Sequence, residues 1–297
     1  MCDEDTVQDN ARALGPRAVG AAGISRRQFT TSTAAAAAMF ALLPRTAHAA
    51  NVIGHELNIT TPDGVADCYF AHPAGSKSPG VIVWPDIRGL RPAFAAMGKR
   101  LAESGYAVLV VNPFYRAAKA PILGPGASFE DPATRATLMG YARALTPATV
   151  GTDTRAFVGF LDAHTAVDTT RRIGTTGYCM GGAMALRAAA TLPERIGAGA
   201  SFHGGGLVTD KADSPHLLVP HTKASFLFAI AANDDERQPE AKTALRQAYA
   251  NAQRSAEIEV YAGALHGWCP PDSPVYNAEQ AERAWARLLA LFGRALA

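Results

Sequence analysis

Residues 173–182 read Ile-Gly-Thr-Thr-Gly-Tyr-Cys-Met-Gly-Gly, and an Ala-rich run continues from there to Ala190. An apolar run, a glycine-rich turn and an Ala-rich run in this order predict a strand, a sharp turn and a helix. The turn holds Cys179 in the Gly-x-Cys-x-Gly spacing of a nucleophile elbow, where small residues let a strained backbone pass while the central side chain projects above the sheet. Cys179 is therefore the candidate nucleophile. The alternative is a small Cys that only packs in a glycine-rich turn.

A thiol suits this position, because the dipole and the unpaired amides of a helix N-terminus favour a thiolate and can stabilise an oxyanion. With its Gly-Tyr-Cys-Met-Gly-Gly segment, the chain resembles the dienelactone hydrolase family, a branch of the α/β-hydrolases that uses Cys in place of Ser. The resemblance runs from about Val52 to the C-terminus. It implies a Cys-His-Asp triad in the chain order Cys, Asp, His.

Apolar runs on both sides of the elbow predict strands of a parallel sheet that are buried on both faces. They lie at residues 80–84, 106–111, 196–202, 224–231 and 258–261. A Pro-Asp-Gly turn between residues 52–61 and 65–72 predicts two antiparallel strands. We therefore predict an α/β-hydrolase fold, with a mostly parallel central sheet, helices on both faces and an antiparallel N-terminal edge.

Amphipathic stripes predict the helices that cover this sheet. They lie at residues 94–104, 149–164, 240–253 and 278–296. Residues 117–147 are rich in Pro and Gly at first and helical in pattern later, which suits a loop and a helix over the entrance to the site. Asp153 is expected on the solvated face of its helix.

The other two members of the implied triad follow predicted strands in the required order. His266 lies in the loop after the last predicted strand, where this fold places its general base. Asp234 and Asp235 both follow the strand at residues 224–231. Adjacent side chains leave the backbone in different directions, so only one of them reaches the histidine. Position relative to the strand end favours Asp234, whereas the distance to Pro239 favours Asp235; we predict Asp234, because position relative to a rigid strand matters more than distance to a loop proline.

The segment Pro85-Asp86-Ile87-Arg88-Gly89 follows the predicted strand at residues 80–84. The resemblance implies that the backbone amides of Ile87 and Met180 form the oxyanion hole. It also places an acid at Asp86, which in the family is usually Glu and contacts the resting thiol. Aspartate is one methylene shorter, so that contact is not carried over to this chain. The alternative role for Asp86 is to cap the helix that starts near Pro92.

Three further residues are candidates for binding the substrate. Arg116 falls about where the family holds a substrate carboxylate, although a solvated loop arginine fits the sequence as well. His203 ends a predicted strand, where pocket residues gather in α/β sheets, and Trp268 lies just past the predicted base. The family also places an Arg shortly after its catalytic His, and residues 266–272 contain none. We therefore expect a preference for an uncharged ester or lactone.

The N-terminal part of the sequence has the features of an export signal. It contains Ser25-Arg26-Arg27-Gln28-Phe29, an apolar run at residues 31–43 and the small-x-small site Ala47-His48-Ala49. We predict a twin-arginine-type signal peptide at residues 1–49 and one α/β-hydrolase domain at residues 50–297. Export of the folded protein to the periplasm or the medium by the twin-arginine machinery follows. The alternative, a membrane-anchoring helix, is disfavoured because a span needs about 20 apolar residues.

Composition limits the choice of partners. The chain has 28 Lys+Arg and 26 Asp+Glu with a net charge of +2, which argues against a nucleic-acid partner. The histidines lack the spacing of a metal site, so we expect no metal and no cofactor, and we expect a monomer. Cleavage after Ala49 would leave Cys68, Cys179 and Cys269, of which at least one must stay free. A bridge between Cys68 and Cys269 stays open, with the free thiols favoured.

Taken as a whole, the sequence predicts a hydrolase that cleaves a small ester or lactone through a Cys-His-Asp triad and a thiol ester. The rival interpretation is a non-catalytic periplasmic protein that binds a small molecule in the same fold. A thiol oxidoreductase is disfavoured because the chain has no Cys-x-x-Cys pair.

Overall fold

The computed structural model describes residues 8–12, 51–124 and 126–297. Within these residues the strands form one eight-stranded sheet. The strands are β1 Val52–Thr61, β2 Gly64–Pro73, β3 Gly80–Trp84, β4 Ala107–Val111, β5 Ile173–Tyr178, β6 Ile196–Phe202, β7 Ser225–Ala231 and β8 Ala256–Tyr261.

The sheet has the order β1-β2-β4-β3-β5-β6-β7-β8. Strand β2 pairs antiparallel with both β1 and β4, and the other neighbours pair in parallel. The hairpin closes around Pro62-Asp63, with Thr61 opposite Gly64. The predicted fold, including its antiparallel N-terminal edge, is confirmed. Strand β5, which leads into the elbow, lies between β3 and β6, so the candidate nucleophile emerges from the middle of the parallel part.

Helices flank the sheet and connect its parallel strands. They are α1 Pro92–Glu103, α2 Pro132–Arg143, α3 Pro147–Ala163, α4 Met180–Thr191, α5 Ala232–Arg237, α6 Ala241–Asn251 and α7 Ala278–Ala295. A 3-10 helix occupies Pro215–His221. Proline in the first turn of α1, α2 and α3 explains where these helices begin, since proline fits the first helical position and lacks only an amide that would be unpaired there.

Two hydrophobic clusters form the core, one on each face of the sheet. Alternate residues of β3 belong to different clusters: Val81 and Val83 to one, Ile82 and Trp84 to the other. Cys269 lies in the first cluster and Cys68 in the second, and both thiols are free. The sheet separates them, so the bridge that the sequence left open does not form.

The predicted signal peptide cannot be compared with the fold. Residues 1–7 and 13–50 lie outside the described residues, and residues 8–12 form a short helical stretch. No helix among the described residues is both long enough and apolar enough to cross a membrane.

Candidate active site

Cys179 occupies a strained turn between β5 and α4. Its backbone has φ 55° and ψ −121°, in the left-handed region that non-glycine residues rarely adopt. Glycines on either side make the turn possible. A Cβ at Gly177 would lie 1.8 Å from the Gly181 carbonyl oxygen, and one at Gly181 would lie 2.3 Å from the Trp84 carbonyl oxygen. The structure therefore explains the Gly-x-Cys-x-Gly pattern by close backbone approach, and the Cys179 side chain lies just before the first residue of α4.

His266 and Asp234 form a direct contact. The His266 Nδ1 atom lies 2.9 Å from Oδ1 and 2.7 Å from Oδ2 of Asp234. Asp235 turns instead to Lys242, whose Nζ lies 2.7 Å from each of its carboxylate oxygens. Of Asp234 and Asp235, the two acids that follow the strand, the structure thus brings Asp234 into contact with His266.

Cys179 and His266 interact inside the protein, where their exposed fractions are 1 % and 3 %. Burial alone would lower the pKa of His266. Charges on Asp234 and Cys179, with hydrogen bonds to both, instead raise the pKa of His266 to about 10. Because Asp234 holds Nδ1, Nε2 is the ring nitrogen left available to the thiol, and it has no hydrogen-bond partner among the described residues. A pKa of about 10 favours a protonated imidazole beside the Cys179 side chain, and a cation next to a cysteine is the surroundings in which thiols become reactive.

Asn233 fixes the backbone of the loop that carries His266, and the sequence did not single it out. Its Oδ1 accepts a hydrogen bond of 2.8 Å from the His266 amide. Its Nδ2 donates to Oδ1 of Asn10, and Asn10 Nδ2 donates to the His266 carbonyl oxygen at 2.9 Å. Asn233, which directly precedes Asp234, thus fixes the backbone of His266. Its only sequence signal is its position next to Asp234.

Ile87 lies in a tight turn beside the elbow. Asp86 shapes this turn: its Oδ1 accepts from the Arg88 amide at 2.9 Å, and its carbonyl oxygen accepts from the Gly89 amide at 2.9 Å. The contact between Gly181 and the Trp84 carbonyl packs the start of this segment against the elbow. Met180 is the first residue of α4, where amides lack partners within the helix. The two amides expected to hold an oxyanion thus belong to neighbouring segments.

Asp86 has a different role from either one considered for it. Both of its carboxylate oxygens are engaged by Arg91, at 2.7 Å and 2.9 Å. Helix α1 begins after Arg91, and no side chain caps it, so the capping alternative is wrong. Asp86 is instead the carboxylate partner of Arg91, which also binds Asp272.

Arg116, a candidate for binding a substrate carboxylate, forms ion pairs with two aspartates of the protein itself. Its guanidinium pairs with Asp63 at 2.5 Å and with Asp153 at 2.7 Å, and it stacks on the ring of Tyr115. Tyr115 also donates to Asp153, which is 1 % exposed and so does not lie on a solvated helix face. In this structure Arg116 neutralises the buried Asp153, and its expected role as a carboxylate anchor stays a prediction.

His203 and Trp268 lie beside His266, the candidate base. Their rings lie 5.1 Å apart, and the His203 ring lies 5.0 Å from that of His266. His203 has a positive φ of 40°, and neither of its ring nitrogens has a hydrogen-bond partner among the described residues. Burial, and then the charge of His266, lower the pKa of His203 well below its ordinary value. His203 is thus a neutral, buried imidazole next to the candidate base.

No group of three or more His, Cys, Asp or Glu side chains in residues 8–12, 51–124 and 126–297 is arranged to hold a metal ion. The reactive groups that this part of the chain brings together are the thiol of Cys179, the imidazole of His266 and the carboxylate of Asp234.

The chain matches known proteins over nearly all of the described region. A sequence model described as the dienelactone hydrolase family matches residues 66–296. A protein of Methylorubrum extorquens with the provisional name carboxymethylenebutenolidase is 27% identical over 276 residues, which are 89% of this chain and 91% of that protein. A Bradyrhizobium protein with the provisional name 2-oxo-3-(5-oxofuran-2-ylidene)propanoate lactonase is 27% identical over 226 residues, 74% of this chain and 86% of the relative.

Solved structures agree with this match. A crystal structure from Klebsiella pneumoniae, provisionally identified as a dienelactone hydrolase, superimposes with a TM-score of 0.71 and 25% identity and covers 82% of this chain and 99% of its own. A dienelactone hydrolase-like promiscuous phosphotriesterase from metagenomic libraries shares the fold, with a TM-score of 0.67, 23% identity and coverage of 83% and 99%.

Proposed function

The chain belongs to the dienelactone hydrolase family, and on that premise we propose that it hydrolyses a small ester or lactone through a thiol ester on Cys179. The observation that carries the proposal is the continuous contact from Cys179 through His266 to Asp234 at a strained elbow. A nucleophile, a base and an orienting acid in this order are what acyl transfer to water requires.

In the proposed first step, the Cys179 thiolate attacks the carbonyl carbon and forms a C–S bond, while the carbonyl π electrons move to oxygen. The amides of Ile87 and Met180 stabilise this oxyanion. Collapse of the intermediate breaks the C–O bond, and the leaving alkoxide takes a proton from His266. An acyl group on sulfur and a neutral imidazole remain.

The second step restores the enzyme. His266 removes a proton from water as the water attacks the thiol ester, and collapse releases the carboxylic acid and the Cys179 thiolate. Asp234 keeps the Nδ1 proton in place, so that Nε2 carries both proton transfers, and it stabilises the imidazolium. The thiolate and the protonated imidazole are then ready for the next substrate.

We propose an uncharged ester or lactone as the substrate. A bound carboxylate needs an arginine or lysine that is free to pair with it. Arg116 is engaged by Asp63 and Asp153, and Arg88 and Arg91 are engaged by Asp272 and Asp86. The wall next to the base consists of the neutral His203 and Trp268. The name of the Bradyrhizobium relative makes a lactone the first substrate to try.

Hydrolysis assays on residues 50–297 test the proposal. An aryl acetate, an uncharged lactone and its carboxylated analogue are compared, with Cys179→Ala as the matched control. We expect turnover of the uncharged compounds, loss of turnover in the control, and a lower kcat/KM for the carboxylated lactone. Ligand binding without turnover, equal in both proteins, would instead identify a binding protein. A preference for the carboxylated lactone would overturn the substrate class.

We also propose that the protein is exported as a folded monomer by the twin-arginine route. Supporting this are the paired arginines, Arg26 and Arg27, before an apolar run and a small-x-small site. Fractionation of a bacterial host is the test: replacement of both arginines by lysine should retain the uncleaved precursor in the cytoplasm. Periplasmic product from that variant would contradict the route, and a dimer in light scattering would contradict the oligomeric state.

A further inference from the structure

Arg91 joins two segments that are far apart in the sequence. Its guanidinium forms two hydrogen bonds with Asp86, of 2.7 Å and 2.9 Å, and two with Asp272, of 2.7 Å and 3.0 Å. A further bond of 3.2 Å goes to the Gly89 carbonyl oxygen. These bonds account for all five N–H donors of an arginine. The Arg91 side chain is 8 % exposed, so its contacts are largely shielded from water.

Each carboxylate belongs to a different part of the site. Asp86 directly precedes Ile87 and holds the turn that presents the Ile87 amide. Asp272 lies in the loop that continues from His266 towards α7, and Arg88 contacts it as well, at 3.2 Å. The two aspartates bring two negative charges to one place, and Arg91 separates them. The paired charges make each contact stronger than a hydrogen bond between neutral groups.

We propose that Arg91 is a positioning residue that holds the oxyanion turn, residues 86–89, against the loop that follows His266. The inference rests on the proposed ester hydrolysis. The base does not depend on Arg91, because Asp234 and Asn233 hold His266 separately. The turn at residues 86–89 is linked to the base loop by the four short hydrogen bonds that Arg91 forms with Asp86 and Asp272, and by longer contacts from Arg88 to Asp272. Loss of the hydrogen bonds from the planar Arg91 guanidinium therefore displaces the Ile87 amide. The Cys179 thiol and the His266 imidazole stay in place.

Arg100, in the helix α1 that begins directly after Arg91, provides a matched control. It forms a bidentate pair with Glu282, its side chain is 7 % exposed, and it stacks on Trp285, as Arg91 stacks on Phe94. Neither Glu282 nor Trp285 belongs to the proposed site. Arg91→Lys and Arg100→Lys each keep the charge and lose the planar fork, so they cost the fold a similar kind of contact.

The first readout is hydrogen exchange in the full chain, which needs no substrate. In Arg91→Lys, and in Asp272→Asn as a second way to break the link, we expect the amides of Arg88 and Gly89 to exchange at least tenfold faster than in the wild type. Arg100→Lys should leave them unchanged. Equal exchange in Arg91→Lys and Arg100→Lys would overturn the proposal even if the protein proved not to be a hydrolase.

The second readout is kinetic. Removal of one oxyanion donor lowers kcat by about 10²–10³ in other enzymes, and a displaced donor should cost about tenfold. We expect this loss in kcat for Arg91→Lys, with KM and the rate of Cys179 alkylation by iodoacetamide within twofold of the wild type. Arg100→Lys should keep the wild-type kcat. Parallel losses in kcat and in alkylation would assign Arg91 to general stability and overturn the positioning role.

Discussion

The His266 Nδ1 atom lies 2.7 Å from Oδ2 of Asp234, and the second oxygen of the same carboxylate lies 2.9 Å away. An ionised carboxylate only accepts hydrogen bonds, so Nδ1 carries a proton and Nε2 is the nitrogen left to exchange one. Cys179 interacts with the same imidazole, and Nε2 is the nitrogen that Asp234 leaves available to it. This one contact therefore sets both the tautomer and the direction in which the base works.

Asp234→Asn should reduce kcat by a factor on the order of 10² or more, because an amide can present its NH₂ to Nδ1 and stabilise the wrong tautomer. Asp235→Asn is the matched control, since Asp235 pairs with Lys242 and not with His266. It should retain activity within a few-fold. The comparison needs only initial rates with one aryl ester. A larger loss of kcat in Asp235→Asn than in Asp234→Asn would show that Asp235, and not Asp234, is the acid that orients His266.

The contact between Asp234 and His266 should make stability depend on pH in a defined direction. Burial lowers the pKa of His266, whereas Asp234 and Cys179 raise it; in Cys179→Ala, where no thiol titrates beside it, we expect Asp234 to keep this pKa above the ordinary value of 6.5. The folded protein then holds a proton that the unfolded chain has lost. The stabilisation is complete below about pH 6.5 and is lost as pH rises through the folded pKa, with a slope of at most about 1.4 kcal/mol per pH unit.

Urea unfolding of Cys179→Ala at pH 6, 7, 8 and 9 measures this dependence. Addition of Asp234→Asn to the same protein should flatten it, because the charge that retains the proton is gone. The account predicts a decline with pH that is steeper in the single variant. Identical slopes in the single and double variants would show that Asp234 does not set the protonation of His266.

Cys179→Ala should abolish ester hydrolysis and leave the fold intact, since it removes the sulfur at the elbow and little packing. Cys179→Ser should also be weak, because an alkoxide forms far less readily than a thiolate. Circular dichroism verifies the fold, and stopped-flow assays measure the residual rate. Wild-type turnover in Cys179→Ala would exclude the proposed nucleophile.

His203→Phe should increase stability and reduce activity together. Phenylalanine keeps the ring contacts with His266 and Trp268 but removes two buried nitrogens that lack protein partners, and an unpaired buried polar group costs about 1–3 kcal/mol. If these nitrogens serve the substrate, kcat/KM falls about tenfold while the free energy of unfolding rises.

His216→Phe is the control for this experiment. His216 Nδ1 lies 2.7 Å from Ser214 Oγ, so the substitution removes a made contact and should lower stability without a change in kcat/KM. Unchanged kcat/KM in His203→Phe would remove His203 from the substrate pocket.

Arg116→Ala should lower stability and leave substrate preference unchanged. The substitution leaves Asp153, which is 1 % exposed, without its cation. Breaking a buried ion pair in this way costs about 3–5 kcal/mol in the free energy of unfolding. Addition of Asp153→Asn should recover part of that loss. Denaturant unfolding gives the stability, and the ratio of kcat/KM for uncharged and carboxylated lactones gives the preference. A change in that ratio would restore Arg116 as a substrate anchor.

The elbow and the positions of the strands were accessible from the sequence because they depend on local rules. A strained turn demands glycines at fixed offsets, and buried parallel strands demand apolar runs. The predicted strand at residues 196–202 and the one at 80–84 match β6 and β3 at both ends. Asp234 was chosen over Asp235 for a similar reason, namely its offset from a rigid strand.

The charge networks were not accessible, because their members are distant in the chain. Arg91 and Asp272 are separated by 181 positions, and Arg116 and Asp153 by 37. Asp153 lies three positions after Val150 and four before Phe157, on the buried side of its helix, so periodicity alone would have buried it. The prediction of a solvated position followed from its charge, and only the folded structure shows that Tyr115 and Arg116 pair with it there.

The central claim is a covalent thiol ester on Cys179, and mass spectrometry of the acylated enzyme tests it most directly. Residues 50–297 are mixed with excess aryl acetate, quenched in acid within the first turnover and digested. The account predicts that the peptide containing Cys179 gains one acetyl group, that this mass disappears as the ester is consumed, and that it persists longer in His266→Ala. Turnover at the wild-type rate with no acyl group on Cys179 at any quench time would contradict it.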